Sequence, residues 1–383
     1  MQSVAVGWQV YAKTGHILDL GYVGLAQFLP FLVFILPSGH VADRHDRRVI
    51  LVTCNGVYLV GSILLLAYTL SGAASVLPIF GILALLGSAR AFSMPAGQAI
   101  LRNIVDGGAF AQAVAFNSTA FHVAVVMGPV LGGFAYLAGP VAVHGSVSAT
   151  LLLSTLLLSR VRTRQVRQAE TPISLHTALE GFRFVRSRPV ILGAISLDLF
   201  AVLFGGATAL LPAVVKDVLH ADSVALGLLR ASPALGAACM TIVLTLFPLR
   251  RRVGLWMFAG VFLFGSATIV FGCSRLLWLS IASLFLTGVG DMLSVYIRQI
   301  LVQAQTPDAL RGRVSAVSAV FIGASNELGE FESGVTAGWF GAVPSIVAGG
   351  IATLLVVLAW VRLFPSLRRM DGFPPASRDV AGG

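Results

Sequence analysis

Hydrophobic positions along the chain come in long runs rather than in stripes. Apolar runs near the roughly 20 residues that a helix needs to cross a bilayer core fall at 20–40, 49–71, 76–99, 110–138, 140–159, 189–213, 224–247, 254–273, 276–300, 313–339 and 344–364. Each predicts a membrane-spanning helix. The opening MQSVAVGWQVYA is apolar too, but it reaches only about 18 Å, short of the ~30 Å core. It lacks the basic start and small-residue cleavage site of a signal peptide. It reads as the second half of a twelfth span, a first helix truncated at its N-terminus, with the natural gene beginning upstream.

One stretch departs from this pattern. Within 160–188, Leu175, Ala178, Leu179, Phe182 and Val185 recur at helical spacing, flanked by Arg183 and Arg186. That predicts an amphipathic helix on the membrane surface. The expected organisation is an N-terminal helix bundle at 1–159, a basic linker at 160–188, and a C-terminal helix bundle with a short tail at 189–383.

Composition removes the alternatives. Charged residues make up 11% of the chain and hydrophobic ones 57%, against roughly 25% charged in a soluble domain. A soluble protein and a disordered chain are both excluded. Long continuous runs also argue against a membrane β-barrel. The class is all-α and integral to the membrane.

The net charge of +10 reflects topology, not nucleic-acid binding. Arg44, Arg47 and Arg48, the arginines of 160–188, Arg250 to Arg252, Arg311 with Arg313, and Arg362 with Arg368 and Arg369 occupy alternate loops. By the positive-inside rule these loops and the C-terminus are cytoplasmic. Lysine is present only at positions 13 and 216, and the Arg-, Ala-, Gly- and Val-rich composition suggests a bacterial gene. The place is then the bacterial inner membrane. Cys54, Cys239 and Cys273 lie in or beside apolar runs without metal-ligand spacing, so neither a disulfide framework nor a metal site is implied.

The two halves resemble each other. VGLAQFLP at 23–30 matches LGLLRASP at 226–233, and the segment 100–121 aligns without a gap on 300–321, pairing Ile100 with Ile300 and Phe121 with Phe321. Two halves of six helices joined by a basic loop is a parallel-repeat architecture found in secondary transporters.

Two motifs stand out. GHVADRHDRRVIL at 39–51 gathers Gly39, Asp43, Arg44, Arg47 and Arg48 on a very short loop. MGPVLGG at 127–133 places Gly128, Pro129, Gly132 and Gly133 within one span, where they bend the helix and admit a close neighbour. The first resembles the loop signature of the major facilitator superfamily, with Asp46 where the pattern often has glycine. The second resembles that superfamily's fifth-helix antiporter signature. SLDLFAVLFGGATALLP, LGLLRASPALGA, GVGDMLSVYIRQILVQAQTP and RGRVSAVSAVFIGASNELGEFESG are similar to the enterobactin-exporter-like, drug-efflux branch. The resemblance implies the major facilitator fold of two six-helix halves and proton-coupled export of small amphipathic molecules. It also implies that Asp43 meets the helix start at Arg311 and Arg313 and locks the cytoplasmic side.

Ionisable residues inside spans are costly and mark function. Asp198, Asp291, Glu327 and Glu330 are the candidates for proton coupling. Glu327 and Glu330 are expected to share a face with Asn326. Arg90, Asn117, His122, Asn326 and Arg298 are candidates for the substrate cavity. Arg298 also reads as a side chain snorkelling to the cytoplasmic surface, and Arg90 with Asp291 as a pair across the cavity.

The leading expectation is a monomeric transporter that works with protons and the lipid bilayer and exports a siderophore- or drug-like substrate. Facilitated uptake of a metabolite is the second reading. An integral-membrane enzyme or sensor is the third, though the chain shows no nucleophile–histidine–acid grouping. No phosphate loop is present, so no cofactor is expected.

Overall fold

The computed structural model describes residues 1–105, 109–161, 163 and 175–373. The elements are α1 (Gln2–Thr14), α2 (Ile17–Arg44), α3 (Arg47–Ser71), α4 (Leu77–Ile104), α5 (Phe110–Tyr136), α6 (Pro140–Arg160), α7 (Leu175–Ser187), α8 (Pro189–Phe204), α9 (Leu211–Ala213), α10 (Ser223–Leu246), α11 (Val253–Cys273), α12 (Leu277–Gln305), α13 (Asp308–Phe340), α14 (Ala342–Leu363) and α15 (Pro365–Arg368). No strand occurs among the described residues. Ten spans among them are long and apolar enough to cross a membrane. The remaining expected span, 313–339, lies within α13. That helix has 33 residues but is the least apolar of the long ones, and it is not among the ten.

The chain forms two compact units. One is Met1–Pro172 with Ala221–Ala231, the other Ile173–His220 with Ser232–Gly383. In the first unit, α3 packs along α4 and α6, and α2 packs along α4. Val6, Val10, Leu65, Ile79 and Leu83 form its core. A polar network joins three helices: Gln9 Nε2 donates to Thr69 Oγ1 (3.0 Å), His144 Nε2 donates to Gln9 Oε1 (3.3 Å), and Ser148 Oγ donates to Ser62 Oγ (2.9 Å).

Asp46 has a local purpose. It is the N-cap of α3, where its Oδ1 accepts from Arg48 N at 2.8 Å. A carboxylate satisfies an open helix N–H there, as glycine cannot. The Arg48 guanidinium donates to Ser159 O at the end of α6, so the loop is tied down on both sides.

The second unit repeats the plan. α11 packs along α12 and α14 as α3 packs along α4 and α6. Leu197, Met257, Val261, Ile297 and Leu301 form its core. α14 is pinned to α8 by Trp360 Nε1 donating to Ser196 Oγ (3.0 Å) and Thr353 Oγ1 donating to Ala201 O (3.3 Å).

The amphipathic stripe of α7 meets protein. α7 packs on α13 and α8, Val185 is buried with Ile191, Val314 and Val317, and the Phe182 ring stacks on Phe321 at 6.4 Å. Arg183 and Arg186 face outward. Expected contacts of Leu175, Ala178 and Leu179 lie outside the described side chains.

The span expected at 189–213 is broken. α8 ends at Phe204. The chain then passes through Gly205 and Gly206, a 3-10 turn at Ala207–Leu210, α9, and a π turn at Val214–Val218. Gly206 makes the break possible: a Cβ there would collide with Gly329 O on α13. Only glycine permits so close a crossing.

Candidate functional site

Non-helical backbone at membrane depth is tolerated where it lines a cavity or is buried in protein. The break in α8 lines one. In the second unit a cavity of about 300 Å³ is bounded by Gly205 to Thr208, α8, α10, α11, α12 and α13. Its ionisable residues are Asp198, Asp291, Arg298 and Glu330, and its other polar residues include Thr208, Thr287 and Asn326.

Helical spacing aims these side chains. Thr287, Asp291, Val295 and Arg298 follow one face of α12, and Asp198 and Val202 one face of α8. On α13, Asn326 and Glu330 stand one turn apart. Phe264, Thr268 and Phe271 add an aromatic wall from α11. Asp198 lies nine residues into α8, about 14 Å along the helix and near the middle of a ~30 Å core.

Arg298 and Asp198 form a buried ion pair, Nη2 to Oδ2 at 3.3 Å, with side chains 2% and 5% exposed. Arg298 Nη1 donates to Ser318 Oγ at 3.4 Å, and its Nε has no hydrogen-bond partner. This corrects the snorkelling expectation. A guanidinium can stay at this depth because a carboxylate faces it, and leaving either partner alone would be strongly unfavourable. Asp291 lines the same cavity as Asp198 and Arg298. Glu330 Oε1 accepts from Thr208 Oγ1 at 3.5 Å, which links α13 to the broken segment.

Several expected residues lie elsewhere. Glu327 is half-buried on α13 and does not line this cavity. Asn117 and His122 are exposed on α5, where the His122 ring sits edge-on to Phe121 at 5.8 Å. Arg90 belongs to the first unit and lies 5.4 Å from the centroid of the Phe31 ring. Of the loop residues, Arg44 is exposed and Arg47 buried. The side chains of Gly39, Asp43, Arg311 and Arg313 lie outside the described residues.

The MGPVLGG stretch packs closely within the first unit. A Cβ on Gly133 would stand 2.5 Å from Ser223 O, and one on Gly227 would stand 2.6 Å from Pro129 O. Gly128 and Gly132 face the first residue of the chain, just before α1.

Thr208, Thr287 and the Phe264–Phe271 wall were absent from the residues expected from sequence. The Gly205–Gly206 pair inside an apolar run was the available signal for the break. His144 and Gln9, buried in the first unit, were also missed.

An all-helical, multi-pass protein with a charged intramembrane cavity at a broken span is built as a membrane transporter, not an enzyme. The family described as "Transmembrane secretion effector" matches residues 1–379. The chain belongs to that family, within the major facilitator superfamily. It is 27% identical to the enterobactin exporter EntS of Citrobacter koseri, covering 97% of this chain and 89% of the relative. It is 26% identical, with the same coverage, to EntS of Escherichia coli O1:K1. Among solved structures, a point mutant of the nucleoside transporter NupG superposes with a TM-score of 0.71 at 14% identity over 94% of each chain. A bacterial homologue of the lysosomal transporter Spinster, inward-facing and unoccupied, gives 0.70 at 16% identity over 96% of this chain and 92% of that one. These two likenesses concern the fold.

Proposed function

We propose that the chain exports a small amphipathic, siderophore-like molecule across the bacterial inner membrane by proton antiport, its cavity opening alternately to the two sides. The observation that carries this reading is the convergence of Asp198, Asp291, Glu330 and Arg298 on one cavity beside a broken span. Relatives named as enterobactin exporters support the direction and the class of cargo.

The chemistry follows from the low dielectric. Charge placed there is costly unless it is paired, hydrogen-bonded or neutralised. Asp198 and Arg298 hold each other. A proton arriving at Asp198 or Asp291 weakens the carboxylates' hold on the guanidinium, and a departing proton restores it. Cargo and proton therefore compete through one arginine. Thr208, Thr287 and Asn326 offer hydrogen bonds to the cargo, and Phe264 and Phe271 offer aromatic faces. The loop of Gly39 to Arg48, with Arg311 and Arg313, gates the cytoplasmic side, where the C-terminus also lies. The protein works as a monomer without a cofactor.

The test is uptake into inverted vesicles across a panel that includes enterobactin and amphipathic drugs, with and without a proton uncoupler. The expected result is accumulation of at least one panel member, abolished by the uncoupler. Accumulation that survives the uncoupler contradicts proton antiport.

A further inference from the structure

The first unit has a second concavity, of about 360 Å³, unrelated to the charged cavity. α2 contributes Val41 and its C-cap residue His45, α3 contributes five residues between Val49 and Val57, and α4 contributes four between Leu85 and Phe92. Its floor includes Ile50, Cys54 and Ala89, all under 9% exposed, whereas Val49 on its wall is 58% exposed and Leu85 is 39% exposed. The groove is therefore open to the surroundings of the helices and lined almost wholly by carbon.

Its position along the membrane normal follows from the chain. Val49 adjoins the arginine loop, and Val57 lies eight residues further along α3, about 12 Å deeper. That depth is close to one leaflet of a ~30 Å core. The mouth of the groove is at headgroup level, on the side that the alternate arginine loops mark as cytoplasmic. Arg44 and His45 are exposed there, and Arg48 is half-buried beside them. His45 Nδ1 lies 3.2 Å from Val41 O, which holds the imidazole at the mouth.

We infer that this groove holds one acyl chain of an anionic phospholipid from the cytoplasmic leaflet, its phosphate resting against Arg44 at the mouth. Carbon-lined walls one leaflet deep suit an acyl chain, and a basic rim at headgroup height selects a negative headgroup. Thr53 and Ser88 are the hydroxyl-bearing residues of its lining, so a soluble metabolite would find few hydrogen-bond partners along such walls. The lipid would brace the arginine loop against the ends of α2 and α3.

Native mass spectrometry of the full chain, released from membranes containing palmitoyl-oleoyl phosphatidylglycerol and its phosphatidylcholine counterpart, tests this. The expected result is retention of one phosphatidylglycerol in preference to phosphatidylcholine. Ala89→Trp fills the floor and removes the retained lipid. Should that variant fail to fold, Leu85→Trp narrows the wall from an exposed position to the same end. Val60→Trp, exposed on α3 outside the groove, retains lipid as the parent does. Arg44→Gln lowers the preference for phosphatidylglycerol about fivefold, the worth of one basic residue at an anionic surface. Equal retention in the groove-filling variants and Val60→Trp overturns the site, and an unchanged preference in Arg44→Gln overturns the charge assignment. Displacement of the lipid by an exported panel compound, at equal stoichiometry, would make the groove a cargo portal and overturn the lipid reading.

Discussion

In the first unit the buried polar residues Gln9, Ser62 and His144 are joined in a hydrogen-bonded network with Thr69 and Ser148. In the second, Asp198 and Arg298 are buried at similar completeness, but they carry charge and border a cavity. The helix packing around the two sets is the same plan used twice, with α3 and α11 as the central members. Carried up α4 and α12, the offset that pairs Ile100 with Ile300 sets Asp291 opposite Ala91 and Arg298 opposite Gln98. Duplication thus accounts for the frame, while the buried ion pair and the charged cavity around it sit in one copy. A neutral network stabilises by small, local amounts, on the order of 1 kcal/mol per hydrogen bond. A buried ion pair contributes little net stability, yet it responds strongly to any change in the charge of one partner. The second arrangement suits a switch and the first suits a clamp.

The contrast is sharpest at Arg298. Arg298→Ala leaves Asp198 buried without its counter-charge, at a cost of about 3–5 kcal/mol. It should lower the thermal midpoint in detergent and abolish transport. Replacing both partners by leucine should restore much of the stability and none of the transport. Restored transport in the double variant would reduce the pair to packing.

Smaller effects follow elsewhere. Gly206→Val pushes a side chain into Gly329 O and should cost about 1–3 kcal/mol through overpacking, with the cavity deformed and transport slowed at equal expression. His144→Leu leaves Gln9 Oε1 without its donor and should cost about 1–3 kcal/mol. Its transport per folded molecule should match the parent, and loss of proton coupling in this variant would erase the difference drawn between the units. Asp46→Ala removes the α3 cap and should cost about 1 kcal/mol, readable as a small drop in thermal midpoint.

Much of this was legible in the residues themselves. Apolar runs located the spans, and charges inside them flagged Asp198, Asp291, Glu330 and Arg298. The burial of Arg298 has a signal in the sequence: it stands two turns from Asp291 on one helix face. Glu327 shows the limit of face arguments. One residue turns a helix by about 100°, so the side chain after Asn326 leaves the cavity while the one after a full turn, Glu330, returns to it. The His144–Gln9 contact spans 135 residues of sequence and has no local pattern to betray it. Gly205–Gly206 foreshadows the break in the span expected at 189–213, yet the apolar composition on both sides of the pair is that of one continuous helix.

On the proposed mechanism Asp291, which lines the same cavity as the Asp198–Arg298 pair, couples protons to cargo. Inverted vesicles acidified inside, carrying the parent or Asp291→Asn at equal expression, test it with any cargo identified by the efflux panel. The variant is expected to lose uphill accumulation driven by the proton gradient while still exchanging labelled for unlabelled cargo. Accumulation by Asp291→Asn to the parent level, still abolished by an uncoupler, would contradict it.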